Sequence, residues 1–207
     1  MPQRVIEPVP LADVSAMLEV RPTAAKLGCR DRAILLALLD TGCRASEFLD
    51  LCLGDVDLRN GACQVRSGKR AKPQTVFLGE RARQELRSYL AFRKDLDPLA
   101  PVWATRGGTR LTYAGLRQIM RRRAKKAGIA APSLHSFRRA FALGCLRSGM
   151  DIFALQRLMG HADLSILRRY LAQTNEDLRR AHREHSPVDG AFGCSGELRS
   201  PSGEVVP

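Results

Sequence analysis

The sequence predicts a mainly helical domain that contains a small antiparallel sheet of three strands, and two patterns carry this prediction. Apolar residues recur at helical spacing through most of the chain, for example across residues 30–40. Across residues 55–77 the period changes to alternation of apolar and polar positions, with a strong hairpin signal at Asn60-Gly61. Helical spacing resumes at Glu80, so the sheet is expected between two groups of helices.

Each predicted helix has one apolar face and stops near glycine, proline or a polar cluster. The helices start with a short one from Leu11 and continue over residues 30–40, 44–51, 80–94, 112–126, 134–147, 151–159, 163–171 and 174–184. The strands are predicted around residues 56–58, 63–65 and 75–78, with a basic turn at residues 67–73. From Ser186 the chain becomes rich in Pro, Gly and Ser, which favours a flexible tail.

Positive charge is in large excess over negative charge. The chain has 34 Lys and Arg against 21 Asp and Glu, a formal net charge of +13. Such an excess favours a polyanionic partner, and nucleic acid is the first candidate. Charge alone is equally compatible with a basic protein that does not bind nucleic acid, so sequence motifs are needed to distinguish the two.

The six cysteines form no C-x-x-C pair and none lies at zinc-ligand spacing from a histidine. They are interpreted as reduced thiols, which predicts a cytoplasmic protein without a metal site. The N-terminus lacks a signal-like segment, and no apolar run reaches the roughly 18 residues of a membrane-spanning helix.

The chain contains four separate polar motifs, and the first two lie in its first half. Arg44 begins a predicted helix, and Glu47 follows one turn later on the same face. Lys69 lies in the basic turn at residues 67–73. Taken singly, the first is also compatible with a surface ion pair and the second with a solvated turn.

The other two motifs contain histidines. His135 and Arg138 are spaced i, i+3 on one predicted helix, a pattern that is common by chance. His161 follows Gly160, and Tyr170 closes the next helical run directly after two arginines. A tyrosine phenol has a pKa of about 10, so it becomes a useful nucleophile when cations surround it and a phosphate is the target. The alternative is an amphipathic helix whose tyrosine packs on the core.

Together, the order and spacing of these motifs resemble the tyrosine recombinases, or phage-type integrases, over roughly residues 11–185. The matching stretches are Thr41-Gly42-x-Arg44-x-x-Glu47, Gly68-Lys69-x-x-Lys72, Leu134-His135-x-x-Arg138, and Leu158-Met159-Gly160-His161 with Tyr170. The resemblance implies the catalytic-domain fold of that family and a DNA recombinase that works without metal, nucleotide or other cofactor.

The resemblance also implies a role for each matching residue. Tyr170 attacks the scissile phosphate, forms a 3′-phosphotyrosyl link and releases a 5′-hydroxyl. Arg44 and Arg138 clamp the non-bridging oxygens, for which a planar guanidinium is suited. Lys69 protonates the leaving oxygen, with Lys72 as the alternative acid.

Two histidines and one glutamate complete the implied site. His135 exchanges a proton with the nucleophile or holds the phosphate, and His161 donates a further hydrogen bond. Glu47 orients its neighbours. Arg139 stands where the family often has histidine, and Ile166 and Leu167 where it often has hydroxyl residues; we expect activity to survive these departures.

DNA contacts are expected from the basic face of the helix over residues 112–126. Its exposed cations are Arg117, Arg121, Arg122, Lys125 and Lys126. The expected partner is double-stranded DNA with specific recombination sites, on which protomers assemble as dimers or tetramers.

The domain organisation is expected to be an extended lead-in over residues 1–10, a catalytic domain over 11–185 and a tail over 186–207. Many relatives have an additional N-terminal core-binding domain, which needs on the order of 80 residues, so we expect a short form without it. Two alternatives remain at this point: a DNA-binding remnant or regulator that no longer cleaves, and DNA relaxation of the type IB topoisomerase kind.

Overall fold

The computed structural model of the protein describes residues 7–21, 24–66, 74–160, 179 and 182–192. The chain divides into two units, Met1–Leu167 and Arg168–Pro207. Helices dominate the first unit, which confirms the predicted fold class. They are α1 (Leu11–Glu19), α2 (Ala25–Thr41), α3 (Ala45–Asp50), α4 (Glu80–Leu90), α5 (Tyr113–Ala127), α6 (Leu134–Arg147) and α7 (Ile152–Leu158).

The sheet has two strands in the described part of the chain rather than the predicted three. Strands β1 (Ala62–Val65) and β2 (Gln74–Phe77) pair antiparallel. The first predicted strand is reduced to a single bridge between Val56 and Cys63. The chain turns immediately before and after Val56, through a 3₁₀ turn that ends at Asp55 and a turn closed by the hydrogen bond from Gly61 N to Asp57 O (2.8 Å). These turns leave too few extended residues for a ladder.

Helix α2 is the central element of the core. Its buried residues face in several directions, because α2 packs against α1, α4 and α6. A second part of the core is aromatic: the ring of Trp103 stacks on Phe48, with centroids 4.6 Å apart, and on Tyr89 at 6.3 Å. The longest helix of the unit is therefore held on several sides, which makes its end a rigid reference point.

A buried ion cluster joins α2 to α5. The carboxylate of Asp31, whose side chain is 4% exposed, pairs with Arg30 at 2.8 Å and with Arg122 at 2.6 Å. The neighbouring Arg123 donates from Nε to the carbonyl of Met17 at the end of α1 (2.9 Å). Breaking a buried ion pair leaves an uncompensated charge, so these arginines stabilise the packing of α1, α2 and α5.

Helix α2 ends at Gly42, which adopts a left-handed conformation with φ of 59°. A Cβ at this position would overlap the ring of Phe141 on α6. Only glycine meets both conditions, because it tolerates positive φ and has no side chain. Gly42 thus sets both the end of α2 and the distance at which α6 packs.

In the second unit, the helix α8 (Pro187–Phe192) lies in the segment for which composition predicted a flexible tail. Its first turn is capped by Ser186, whose Oγ accepts from the backbone N–H of Asp189 at 3.2 Å, and proline suits the first helical position. Residues 182–185 are also helical. The predicted helix over 163–171 and most of that over 174–184 fall outside the described residues. Within the described ranges, no helix has the length and apolar character to span a membrane.

We predict that Gly42→Ala lowers the free energy of unfolding by about 2–4 kcal/mol, the sum of left-handed strain and overpacking against Phe141. Gly128→Ala is the matched control, because Gly128 also ends a helix at positive φ (71°) but has nothing within 4 Å of a Cβ. The control should lose only the strain, about 1 kcal/mol. Chemical denaturation of both variants measures the difference, and equal losses would contradict the proposed contact.

Candidate active site

Arg138 brings three elements of the first unit together. Its Nη1 donates to the carbonyl of Gly42 at the end of α2 (2.6 Å), and its Nη2 donates to the carbonyl of Met159 at the end of α7 (2.7 Å). Arg138 itself lies on α6. The sequence motifs around Arg44, Arg138 and Gly160 are therefore adjacent in space, although they are far apart along the chain.

The start of α6 is fixed by a local cap and by two buried side chains. The Oγ of Ser133 accepts from the backbone N–H of Ser136 at 3.1 Å. Leu134 and Phe137 are buried, while His135 is exposed. Helical spacing then places His135 and Arg138 on a face that is not buried in the core.

The guanidinium of Arg138 donates to two backbone carbonyls, and the carboxylate of Glu47 supports its charge from a distance without forming an ion pair with it. Burial lowers the pKa of Arg138, and the positive charge of Arg44 lowers it further. Among the residues the structure describes, no carboxylate forms an ion pair with Arg138. A partly desolvated cation of this kind is stabilised by an anion that enters from solution.

Arg44 differs from Arg138 because it has a carboxylate partner. It is the N-cap residue of α3, and Glu47 accepts from its backbone N–H at 3.0 Å and from its Nη1 at 2.7 Å. The side chain of Arg44 is 47% exposed, whereas that of Glu47 is 14% exposed. The predicted contact between Arg44 and Glu47 is present, and it orients the partly exposed guanidinium of Arg44.

Lys69, His161 and Tyr170 lie outside the described residues, as does Lys72, but their flanking residues are described. Arg66 precedes the segment that contains Lys69 and pairs with the buried carboxylate of Asp55 at 2.7 Å. Gln74 follows that segment and donates from Nε2 to the carbonyl of Leu158. The flank of the Lys69 segment thus contacts the residues that lead to His161.

Sequence reasoning missed Gln74 and Arg66. A glutamine at a strand end has no signature of its own, and its partner is a backbone carbonyl 84 residues away. Arg66 and Asp55 are opposite charges near the two ends of a predicted hairpin, which is a signal that could have been used.

The basic face of α5 divides into two parts. Arg117 and Arg121 line an open cavity of about 480 Å³ together with His135 and Tyr113. Lys125 is exposed. Arg122 pairs with Asp31, although its side chain is 43% exposed, and Lys126 lines a smaller cavity with it. The predicted DNA contacts thus differ in their surroundings: Arg121 lines the larger cavity, whereas Arg122, about 100° further round the helix, pairs with Asp31.

The described cysteines are free thiols, and Cys194 lies outside the described residues. Burial raises the pKa of Cys43 to about 11 and that of Cys63 to about 12, which keeps both protonated and unreactive near neutral pH. The described residues contain no group of three or more His, Cys, Asp or Glu that could hold a metal ion.

Curated proteins that are similar to this chain are tyrosine recombinases. The XerA recombinase of Thermococcus kodakarensis is 35% identical over 182 residues, which are 87% of this chain and 63% of that protein. The XerD recombinase of Ralstonia nicotianae is 34% identical over 194 residues, 90% of this chain and 62% of that protein. The chain thus spans about three fifths of the length of these relatives.

Solved structures of the same kind have the same fold. A crystal structure of XerA recombinase is similar with a TM-score of 0.69 and 28% identity, covering 90% of this chain and 66% of that one. XerH recombinase bound to its difH substrate matches in fold with a TM-score of 0.68 and 23% identity, over 87% of this chain and 55% of that one.

The family model described as phage integrase family matches residues 10–177. This range contains Arg44, Lys69, His135, Arg138, His161 and Tyr170, in the order in which the four motifs were identified. The resemblance inferred from those motifs is thereby confirmed. This chain belongs to the phage integrase family.

Proposed function

We propose that this chain is a site-specific DNA recombinase that cleaves and rejoins DNA strands through a 3′-phosphotyrosyl intermediate on Tyr170. The observation that carries the proposal is the position of Arg138. Its charge has no carboxylate partner in the described part of the chain, and it lies where the motifs of Arg44 and Gly160 meet. A phosphodiester is the anion that supplies the missing negative charge.

The bonds of Arg138 leave it able to bind such a group. The carbonyls of Gly42 and Met159 each take one N–H, and a guanidinium has further N–H donors. The two anchors fix the plane of the group before substrate arrives. Donors oriented in advance stabilise the charge of a pentacoordinate phosphorane more than that of the ground state, which is the requirement for catalysis.

The other residues have distinct roles in the proposed reaction. Tyr170 forms the new bond to phosphorus, and the 5′-oxygen leaves with a proton from Lys69. Arg44, oriented by Glu47, shares the non-bridging oxygens with Arg138. His135 exchanges a proton with Tyr170 or holds the phosphate, and His161 donates a further hydrogen bond to the phosphate. The energy of the phosphodiester is kept in the phosphotyrosyl bond, so rejoining needs no nucleotide.

The proposed substrate is double-stranded DNA, since one relative was solved with its difH substrate and the chain has a net charge of +13. Arg117 and Arg121 line a cavity with His135 and are, together with exposed Lys125, the proposed contacts to phosphates that flank the scissile one. We further propose that protomers assemble on this DNA in the cytoplasm, with residues 11–185 as the catalytic domain.

Tyr170→Phe should abolish the covalent DNA adduct and leave DNA binding nearly unchanged, because only the hydroxyl is removed. A randomised library of nicked duplexes, from which covalent adducts are recovered, both tests this and selects the recognised site. A wild-type protein that yields no adduct but binds DNA would favour the non-cleaving regulator. Adducts that persist in the Phe variant would assign the nucleophile to another tyrosine, and Tyr113 is then the candidate, because it is exposed whereas Tyr89 is buried in the core.

Arg138→Ala should slow adduct formation by about 10² to 10³, the usual cost of one lost transition-state donor. Arg138→Lys should restore little, because an ammonium group cannot hold both carbonyls and still bind the phosphate as a fork. Arg44→Ala should have an effect of the same size. Single-turnover kinetics on the recovered duplex measure these rates, and a wild-type rate for either Ala variant would remove that arginine from the site.

Arg121→Ala should weaken DNA binding and reduce the slope of log affinity against log salt by about 0.9, the value for one phosphate contact. Arg122→Ala is its matched control on the adjacent position of α5. Because Arg122 pairs with buried Asp31, we expect lower thermal stability and a smaller change in the salt slope. Salt-titrated binding isotherms and thermal melts of both variants measure this difference. Identical salt slopes would contradict the prediction that Arg121 contributes more than Arg122 to DNA binding.

A further inference from the structure

Helix α7 has few apolar contacts to hold it in place. It spans Ile152–Leu158, and Leu155 is the buried side chain within it. Phe153 is 74% exposed and Ile152 is 44% exposed. Packing therefore constrains this short helix weakly, although its last carbonyls contact the proposed site.

The C-terminal carbonyls of α7 receive two side-chain hydrogen bonds from outside the helix. The last four carbonyls of a helix have no partner within it. Here Leu158 O accepts from Gln74 Nε2, and the next carbonyl, Met159 O, accepts from Arg138 Nη2 at 2.7 Å. Consecutive carbonyls thus join Gln74, on strand β2, to the guanidinium of Arg138.

Gly160, which follows the last carbonyls of α7, lies against the side chain of Gln74. Gly160 has φ of 62°, and a Cβ there would overlap Oε1 of Gln74. The amide of Gln74 consequently lies against the turn on both sides, with its nitrogen on Leu158 and its oxygen over Gly160.

We propose that Gln74 is a positioning residue for Arg138, acting through the Leu158–Met159 carbonyl pair. The strand β2 is held by its ladder with β1, so Gln74 is a fixed point against which the end of α7 is located. With the end of α7 located, Met159 O stays on Arg138 and the guanidinium keeps the plane set by its two carbonyls. This inference rests on the proposed function only for its catalytic consequence.

The first test needs no DNA. Hydrogen exchange of the Met159 and Gly160 amides, which donate to carbonyls of α7, should be about fivefold faster in Gln74→Ala, as for the loss of one hydrogen bond. Gln74→Glu keeps the length of the side chain but removes the Nε2 donor, so it should accelerate exchange as Gln74→Ala does. Gln64→Ala is the matched control, because Gln64 lies on β1 and bonds to Thr75 at 3.1 Å. Unchanged exchange in both Gln74 variants would overturn the proposal.

The second test is a double-mutant cycle on adduct formation. Gln74→Ala should slow wild-type protein by about tenfold, the order of effect expected from a misplaced group, and should not slow Arg138→Ala any further. The same tenfold loss in both backgrounds would show that Gln74 acts independently of Arg138 and would overturn the proposal. A wild-type protein that forms no adduct would count against the proposed function, and the exchange result would then decide on Gln74.

Discussion

The left-handed end of α2 is the constraint on which the candidate site depends. Gly42 turns the chain with φ of 59°, so that Arg44 follows at the start of α3. Its missing side chain admits the ring of Phe141, and its carbonyl accepts from Arg138. One residue therefore locates both arginines relative to the most buried helix of the unit. Any shift of this turn would move the proposed phosphate clamp as a whole.

The arginines near the core differ in what compensates their charge, and this difference separates structure from function. Arg30 and Arg122 share the single buried carboxylate of Asp31, so each forms an ion pair within the fold. Arg44 is compensated in part by Glu47 at the surface. Arg138 is supported by carbonyl dipoles, which orient a cation without neutralising it. An anion gains most at the last of these positions, and that ordering follows from the contacts rather than from the net charge.

Hydrogen bonds and salt bridges fix the position of elements that have few apolar contacts. Helix α7 buries little, yet two of its terminal carbonyls accept from side chains of other elements. The salt bridge between Arg66 and Asp55 is a comparable tie beside the segment that contains Lys69. Such bonds are directional, so they set orientation more sharply than the hydrophobic effect, which is non-directional.

The sequence by itself determined the features that depend on neighbouring residues: the helical periods, the bounds of α6, the glycine end of α2 and the contact of Arg44 with Glu47 three residues on. The family motifs could also be identified from the sequence, because they are defined by residue types and by their order along the chain. The tertiary structure alone decided that Arg138 bonds to Gly42 and Met159, that Arg122 serves Asp31 rather than the surface of Arg121, and that Val56 keeps a single bridge. The physical reason is that these partners lie far apart in the chain and several are backbone carbonyls. Every residue has a carbonyl, so which one is met depends on how the helices pack.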